Sequence, residues 1–227
     1  MVGYDWENTT RLTVVVGHFG SGKTEFSVNL ALKLADQGYP TALADLDVVD
    51  PYFRSRECRE LFERKNIQLI SSSQSCVDAD VPSMPPEVSS FFDNPAIYGV
   101  LDIGGDASGA RVLARYRRQL MENNARLICV VNANRPLTDT PEKAEKYLRD
   151  IAQASGLPIN GIINNTHLCG QTELQDILTG AELTAKVSSS TGIPVVCHTL
   201  PIHLEEEVSQ HINPVFPLRL YMKKPWE

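Results

Sequence analysis

The chain has 227 residues, 42 % of them hydrophobic and 22 % charged, with a formal net charge of −7. That is ordinary globular composition, long enough to bury one large sheet. The acidic balance argues against nucleic-acid backbone as the main partner, and no apolar run approaches the roughly 20 residues that a bilayer span requires.

Met1–Thr10 carries Asp5 and Glu7 and no apolar core. No signal peptide is read there, and a cytoplasmic location is expected. The first predicted strand, Leu12–Val16, runs straight into the octet Gly17-His18-Phe19-Gly20-Ser21-Gly22-Lys23-Thr24. This fits G-x-x-x-x-G-K-[ST], the Walker A pattern, between a strand and a helix-like stretch, Thr24–Gly38. In that setting the backbone N–H groups of the turn and of the helix start, through Glu25, wrap polyphosphate. The glycines permit close backbone approach, Lys23 supplies a cation to the terminal phosphates, and Thr24 offers a hydroxyl to Mg²⁺. The implied ligand is a nucleoside triphosphate.

Gly38 and Pro40 stop the helix, and a second strand is predicted over Thr41–Leu46. It ends in Asp45-Leu46-Asp47, two carboxylates at i and i+2 that share one side of a strand. A helix is expected at Pro51–Lys65, a strand at Ile67–Ser71, and a long surface loop over Ser71–Ser90, rich in Ser, Pro and Asp. The strand Ile97–Ile103 closes in Asp102-Ile103-Gly104-Gly105-Asp106. A carboxylate at a strand tip followed by two glycines is a Walker B arrangement, in which the aspartate holds Mg²⁺ through water. Alternation then continues: helix Ala110–Asn123, strand Leu127–Val131, helix Thr140–Ser155, strand Ile159–Ile163, helix Glu173–Ser189 and strand Ile193–Leu200. Near-continuous apolar strands between amphipathic helices give an α/β fold with a mostly parallel sheet of about seven strands and helices on both faces, and the Walker A turn makes it a P-loop NTPase. Residues 1–227 read as a single nucleotide-binding domain with its ligand at the carboxyl ends of the strands.

The five cysteines, at positions 58, 76, 129, 169 and 197, contain no C-x-x-C pair and do not form a disulfide framework. His167 and Cys169 lie close in sequence, but no second ligand pair accompanies them. Arg111, Arg115, Arg117 and Arg118 read as a solvated helix face. The basic, aromatic C-terminus from Phe216 to Trp226 contains two prolines, which suits packing against the domain better than a membrane helix.

The run GHFGSGKTEFSVNLALKLADQGYPTALADLDVVDP resembles the opening of the MinD/ParA-type P-loop ATPases of the CobQ/CobB/MinD/ParA nucleotide-binding superfamily, and LDIGGD at 101–106 extends the likeness. The resemblance implies roles for single residues. Lys23 would contact the phosphates, Thr24 would bind Mg²⁺ directly, and Asp45 would stand near the ion. Asp47, in the first switch, would orient or activate the attacking water. Asp102 would hold Mg²⁺ through water, with Gly104 and Gly105 in the second switch. Asn165 would read the base, with Asn164 a close competitor, and Pro201 in Thr199-Leu200-Pro201 would flank adenine. One position departs from the pattern. The family's signature lysine follows the first P-loop glycine, where this chain has His18, a shorter side chain without a fixed charge. Arg54 and Arg56 are candidates to replace that cation.

Three functions remain open at this point. The expected one is a Mg²⁺-dependent ATP-binding protein and slow ATPase, acting as a regulatory or partitioning-type switch with a protein partner and a homodimer among its associations. The alternatives are an ATP-dependent metabolic synthetase, for which Ser71–Ser90 would have to shape a substrate pocket, and a metal-cofactor assembly ATPase, which usually needs a cysteine pair.

Overall fold

The strand β1 (Leu12–Gly17) is buried along its whole length, and the fold is built outward from it. The computed structural model describes residues 10–47, 58–71 and 86–222. Among these, eight strands form one sheet: β1, β2 (Thr41–Asp45), β3 (Gln68–Ser71), β4 (Tyr98–Asp102), β5 (Arg126–Val131), β6 (Gly161–Asn164), β7 (Val195–Pro201) and β8 (Val215–Leu218). Their order is β3-β2-β4-β1-β5-β6-β7-β8, and every neighbouring pair is parallel. All carboxyl ends therefore lie along one edge. Apart from Thr13, the side chains on both faces of β1 are apolar, as suits a strand covered by helices on both sides.

On one face, Phe26, Leu30 and Leu34 of α1 (Lys23–Asp36), spaced at i, i+4 and i+8, pack with Val15, Val100, Ile128 and Ile163. The short helix α2 (Arg59–Arg64) adds Phe62 to this layer. On the other face, Val14, Val16, Leu101 and Val131 meet α4 (Ala107–Arg115), α5 (Arg117–Glu122), α6 (Pro141–Ser155) and α7 (Leu174–Thr191). A further short helix, α3 (Ser89–Asp93), seats Phe91 beside β4, and α8 (Glu205–Val208) follows β7. The ends of α6 are set locally: the Thr140 hydroxyl accepts from Lys143 N at 3.3 Å, Pro141 opens the helix, and Gly156 closes it at φ 67°.

Several expectations change in detail. The helix expected over Ala110–Asn123 starts earlier, at Ala107, because the Asp106 side chain caps it by accepting from Gly109 N at 2.9 Å. It also breaks at Tyr116, where φ −100° and ψ 11° leave the helical region. The last residues of the expected loop Ser71–Ser90 are a 3₁₀ turn at Pro86–Val88 and the start of α3. Positions 72–85, with Cys76, lie outside the described residues, as do 48–57, with Arg54, Arg56 and the start of the helix expected at Pro51. The eighth strand is an addition: Val215–Leu218, which overlaps the start of the Phe216–Trp226 segment read as packing against the domain, pairs with β7 through Thr199↔Phe216 and Leu200↔Pro217. Pro217 has no N–H to give, which an edge strand tolerates.

Candidate functional site

The Gly17–Thr24 turn leaves β1 at the carboxyl edge and enters α1. Gly20 (φ 74°) and Gly22 (φ 82°) adopt left-handed backbone conformations that side chains disfavour, and Ser21 N donates to His18 O at 2.9 Å to close the turn. Gly22 is the N-cap of α1 and makes no side-chain cap bond, having no side chain to do so. Phe19 projects outward, 57 % exposed.

Three carboxylates reach this turn from β2 and β4. Asp45 and Asp102 are register partners at the two strand ends. Leu46 N donates to Asp102 O at 2.9 Å, which carries the chain from β2 to Asp47 across the tip of β4. Lys23 Nζ stands 2.6 Å from Asp47 Oδ2, both side chains being buried. Asp102 is fully buried, and neither of its carboxylate oxygens has a hydrogen bond among the described residues. Burial raises its pKa to about 7, opposed by the Lys23 charge and reinforced by Asp45 and Asp47. The Thr24 hydroxyl lies near enough to lower it somewhat, although no hydrogen bond between the two is geometrically complete.

That donor set fits a hydrated divalent cation. Two orphaned carboxylate oxygens next to a threonine hydroxyl are what Mg²⁺ and its waters satisfy. Among the described residues no three His, Cys, Asp or Glu side chains form a metal cluster by themselves. A Mg²⁺ held here would share its coordination with nucleotide phosphate and water.

On the other flank, Asn165 follows β6. Its Nδ2 donates to Ser21 O at 2.6 Å, and its Oδ1 accepts from the Thr199 hydroxyl of β7. A Cβ at Gly22 would collide with this amide. Asn164 is spent elsewhere: its Nδ2 faces Ile177 O and His198 Nδ1, and its Oδ1 accepts from the Thr166 backbone and hydroxyl. The structure therefore brings Asn165 to the turn and keeps Asn164 in the core. Pro201 ends β7 on the same edge, leading into the 3₁₀ turn Ile202–Leu204.

Glu25 faces away from the turn. Its carboxylate accepts from Tyr221 N and Met222 N, one helical turn from Asn29, which exchanges two bonds with the Arg219 backbone. These contacts strap the chain after β8 across α1. Burial lifts the Glu25 pKa to about 7, against the lowering effect of the two N–H groups. His167 Nδ1 accepts from Cys169 N at 3.2 Å, while its Nε2 is buried with no hydrogen bond among the described residues. Arg111, Arg115, Arg117 and Arg118 are exposed, and Arg118 pairs with Glu122 at 2.7 Å.

Three residues at the turn carry no motif. Asn132, fully buried after β5, bridges Gly20 O and His167 O through Nδ2, and Arg135 Nε donates to Gly20 O at 3.0 Å. Tyr147 of α6 donates to Gly105 O at 2.9 Å, and its ring meets His18 edge-on with centroids 5.7 Å apart. Asn132 stands at a strand end, which is a weak signal; nothing in sequence marks Arg135 or Tyr147.

The family model described as the CobQ/CobB/MinD/ParA nucleotide binding domain matches residues 12–177. No curated protein matches the chain in sequence. Similar solved structures include FtsY from Mycoplasma mycoides, with TM-score 0.56 and 16 % identity over 85 % of this chain and 62 % of that one. FtsY from the chloroplast of Physcomitrella patens gives TM-score 0.56 and 13 % identity over 86 % and 60 %. The signal recognition particle receptor FtsY from Elizabethkingia anophelis gives 0.50 and 15 % over 81 % and 56 %. The chain thus spans about three-fifths of the length of these proteins, and at such identities the likeness is one of fold.

Proposed function

The chain belongs to the CobQ/CobB/MinD/ParA nucleotide-binding family, and from that premise we propose that it is a Mg²⁺-dependent ATP-binding protein that hydrolyses ATP slowly and acts as a nucleotide-controlled switch for a protein partner. The observation that carries this reading is the convergence of Lys23, Asp47 and Asp102, all buried, on one glycine-rich turn at the carboxyl edge of the sheet. In this reading Lys23 and the backbone N–H groups of Gly20–Glu25 hold the phosphates. Thr24, Asp45 and Asp102 would hold Mg²⁺, Thr24 through its hydroxyl and the two carboxylates through water. Mg²⁺ there would neutralise charge on the phosphate oxygens, and Asp47 would orient the attacking water.

Adenine is the base this site favours. With Ser21 O and the Thr199 hydroxyl engaged, the Asn165 amide keeps one N–H and one oxygen lone pair. That pair matches the N7 acceptor and N6 donor of adenine, with Pro201 at the ring's flank. The domain is read as one unit over residues 1–227 working in the cytoplasm, and no helix among the described residues is long and apolar enough to cross a membrane.

Titration with labelled ATP and GTP, with and without Mg²⁺, tests the reading. Tight ATP binding that needs Mg²⁺ and is lost in Lys23→Ala is the expected result. Tighter GTP than ATP binding would overturn the adenine assignment, and Mg²⁺-independent binding would overturn the roles given to Thr24 and Asp102.

A further inference from the structure

Two contacts meet at Tyr147 of α6. The hydroxyl donates to Gly105 O at 2.9 Å. The ring meets the His18 ring at 68°, with centroids 5.7 Å apart. The backbone held in this way lies directly on the P-loop, because a Cβ at Gly105 would collide with both the Gly17 carbonyl oxygen and the Tyr147 hydroxyl. Gly104, the preceding residue, is pressed against Asp47: a Cβ there would stand 3.0 Å from Asp47 Oδ1. The phenol remains a donor, since burial, with Cys129, Asp106 and Asp47 nearby, pushes its pKa well above the usual value.

A tyrosine that merely satisfies its hydroxyl can use any nearby carbonyl. This one fastens the turn between β4 and α4, and does so beside the Lys23–Asp47 pair. The trans peptide is planar, so fixing the Gly105 carbonyl also fixes the N–H on the peptide's other edge. In the nucleotide-binding reading, a terminal phosphate placed beside Lys23 and Asp47 would meet this turn, whereas a diphosphate held by the P-loop backbone would not.

We propose that Tyr147 is a positioning residue that seats the Gly104-Gly105 turn on the P-loop, and thereby sets how strongly the site prefers a nucleoside triphosphate over a diphosphate. The inference rests on the nucleotide-binding reading above. His18 braces the tyrosine from the P-loop side, which gives position 18 a role within its own chain.

The test is equilibrium binding of ADP and of a non-hydrolysable ATP analogue, both with Mg²⁺, to the wild-type protein and to Tyr147→Phe. Phenylalanine keeps the ring against His18 and removes only the hydroxyl. The expected result is ADP affinity within about twofold of wild type and a triphosphate preference reduced about fivefold, the size of one net hydrogen bond. A preference that is unchanged or larger in the variant overturns the inference. So does an equal loss of both affinities with a lower melting temperature, which is the signature of a purely structural tyrosine. Wild-type protein that binds neither nucleotide overturns the nucleotide-binding reading itself, and the inference with it.

Discussion

Lys23 Nζ and Asp47 Oδ2 are 2.6 Å apart, and each side chain is only 6 % exposed. The cation assigned to the phosphates and the carboxylate assigned to the attacking water therefore hold each other where nucleotide phosphate would sit. Neutralising Asp47 removes the closest anion of the buried Lys23, and because Asp102 still faces that charge the cost falls below the about 3–5 kcal/mol of a fully broken buried pair. Asp47→Asn should accordingly lower the melting temperature of the nucleotide-free protein. ATP with Mg²⁺ should restore much of that loss, since phosphate returns an anion to Lys23, and affinity should be kept or increased while turnover falls at least tenfold. Thermal melts with and without ATP, together with phosphate release, check this. Hydrolysis at the wild-type rate would remove Asp47 from the water-orienting role.

Base selection is assigned to Asn165, so Asn165→Ala should bring the ATP-to-GTP affinity ratio close to one. The loss expected is about 1–3 kcal/mol of discrimination, the usual size for a bidentate contact to a base edge. Overall affinity should fall as well, because the same amide holds Ser21 O; the ratio is the diagnostic quantity. Asn164→Ala is the control. Its amide is committed to Ile177, His198 and Thr166, so it should lower stability and leave the ratio unchanged. A ratio that moves with Asn164 and not with Asn165 would reverse the assignment.

Most of this site was readable because the motifs lie where strands end. The run Leu12–Val16 followed by glycines, and Leu101-Asp102 followed by glycines, fixes strand, tip and turn within ten residues. Tyr147, Asn132 and Arg135 were not readable. Tyr147 is 42 positions from Gly105, and in sequence it is one more residue on an amphipathic helix. Its place in the site comes from the packing of α6 against α4 and α7, which no local pattern encodes. The eighth strand was hidden for a related reason. Val215-Phe216-Pro217-Leu218 contains a proline and only four residues, and it becomes a strand because β7 presents an open edge to it. The break at Tyr116 and the cap at Asp106 depend on local geometry that periodicity cannot resolve to a residue.

The buried carboxylates make an unusual pH prediction. Asp102 and Glu25 both have folded-state pKa values raised to about 7, chiefly by burial. Between the unfolded value near 4 and the folded value near 7, the folded state binds more protons than the unfolded one. Their contribution to stability is therefore complete below about pH 4 and is lost as the pH rises through 7. Burial of neutral His167 and His198, each lowered to about 4, acts in the opposite sense, with stability lost as pH falls from about 6.5 toward 4. The wild-type profile mixes the two, and a difference between variants separates them. In chelator-treated, nucleotide-free protein, Asp102→Asn should gain little over wild type at pH 4 and progressively more toward pH 8. The upper size of that gain is on the order of 4 kcal/mol. Urea midpoints at several pH values would show it, and a gain independent of pH would mean that Asp102 ionises without penalty.

The final prediction concerns association. In the family that this chain resembles, a lysine at position 18 reaches the phosphates of a second subunit. Here His18 is engaged within its own chain, with Nδ1 3.3 Å from Phe19 O and its ring against Tyr147. An imidazole offers one hydrogen bond where the lysine offers a fixed charge. ATP should therefore drive dimerisation weakly through this position. Light scattering of Asp47→Asn protein, with and without ATP and Mg²⁺, measures the effect without interference from hydrolysis. Mass should rise little on adding ATP, and His18→Ala introduced into the same background should leave the result unchanged. A strong ATP-dependent dimer abolished by His18→Ala would restore a trans-acting role to position 18. One abolished instead by Arg54→Ala or Arg56→Ala would place the trans-acting cation in the segment after Pro51. The first outcome would also separate His18 from Tyr147, since a histidine that reaches across to a partner cannot brace the tyrosine at the same time.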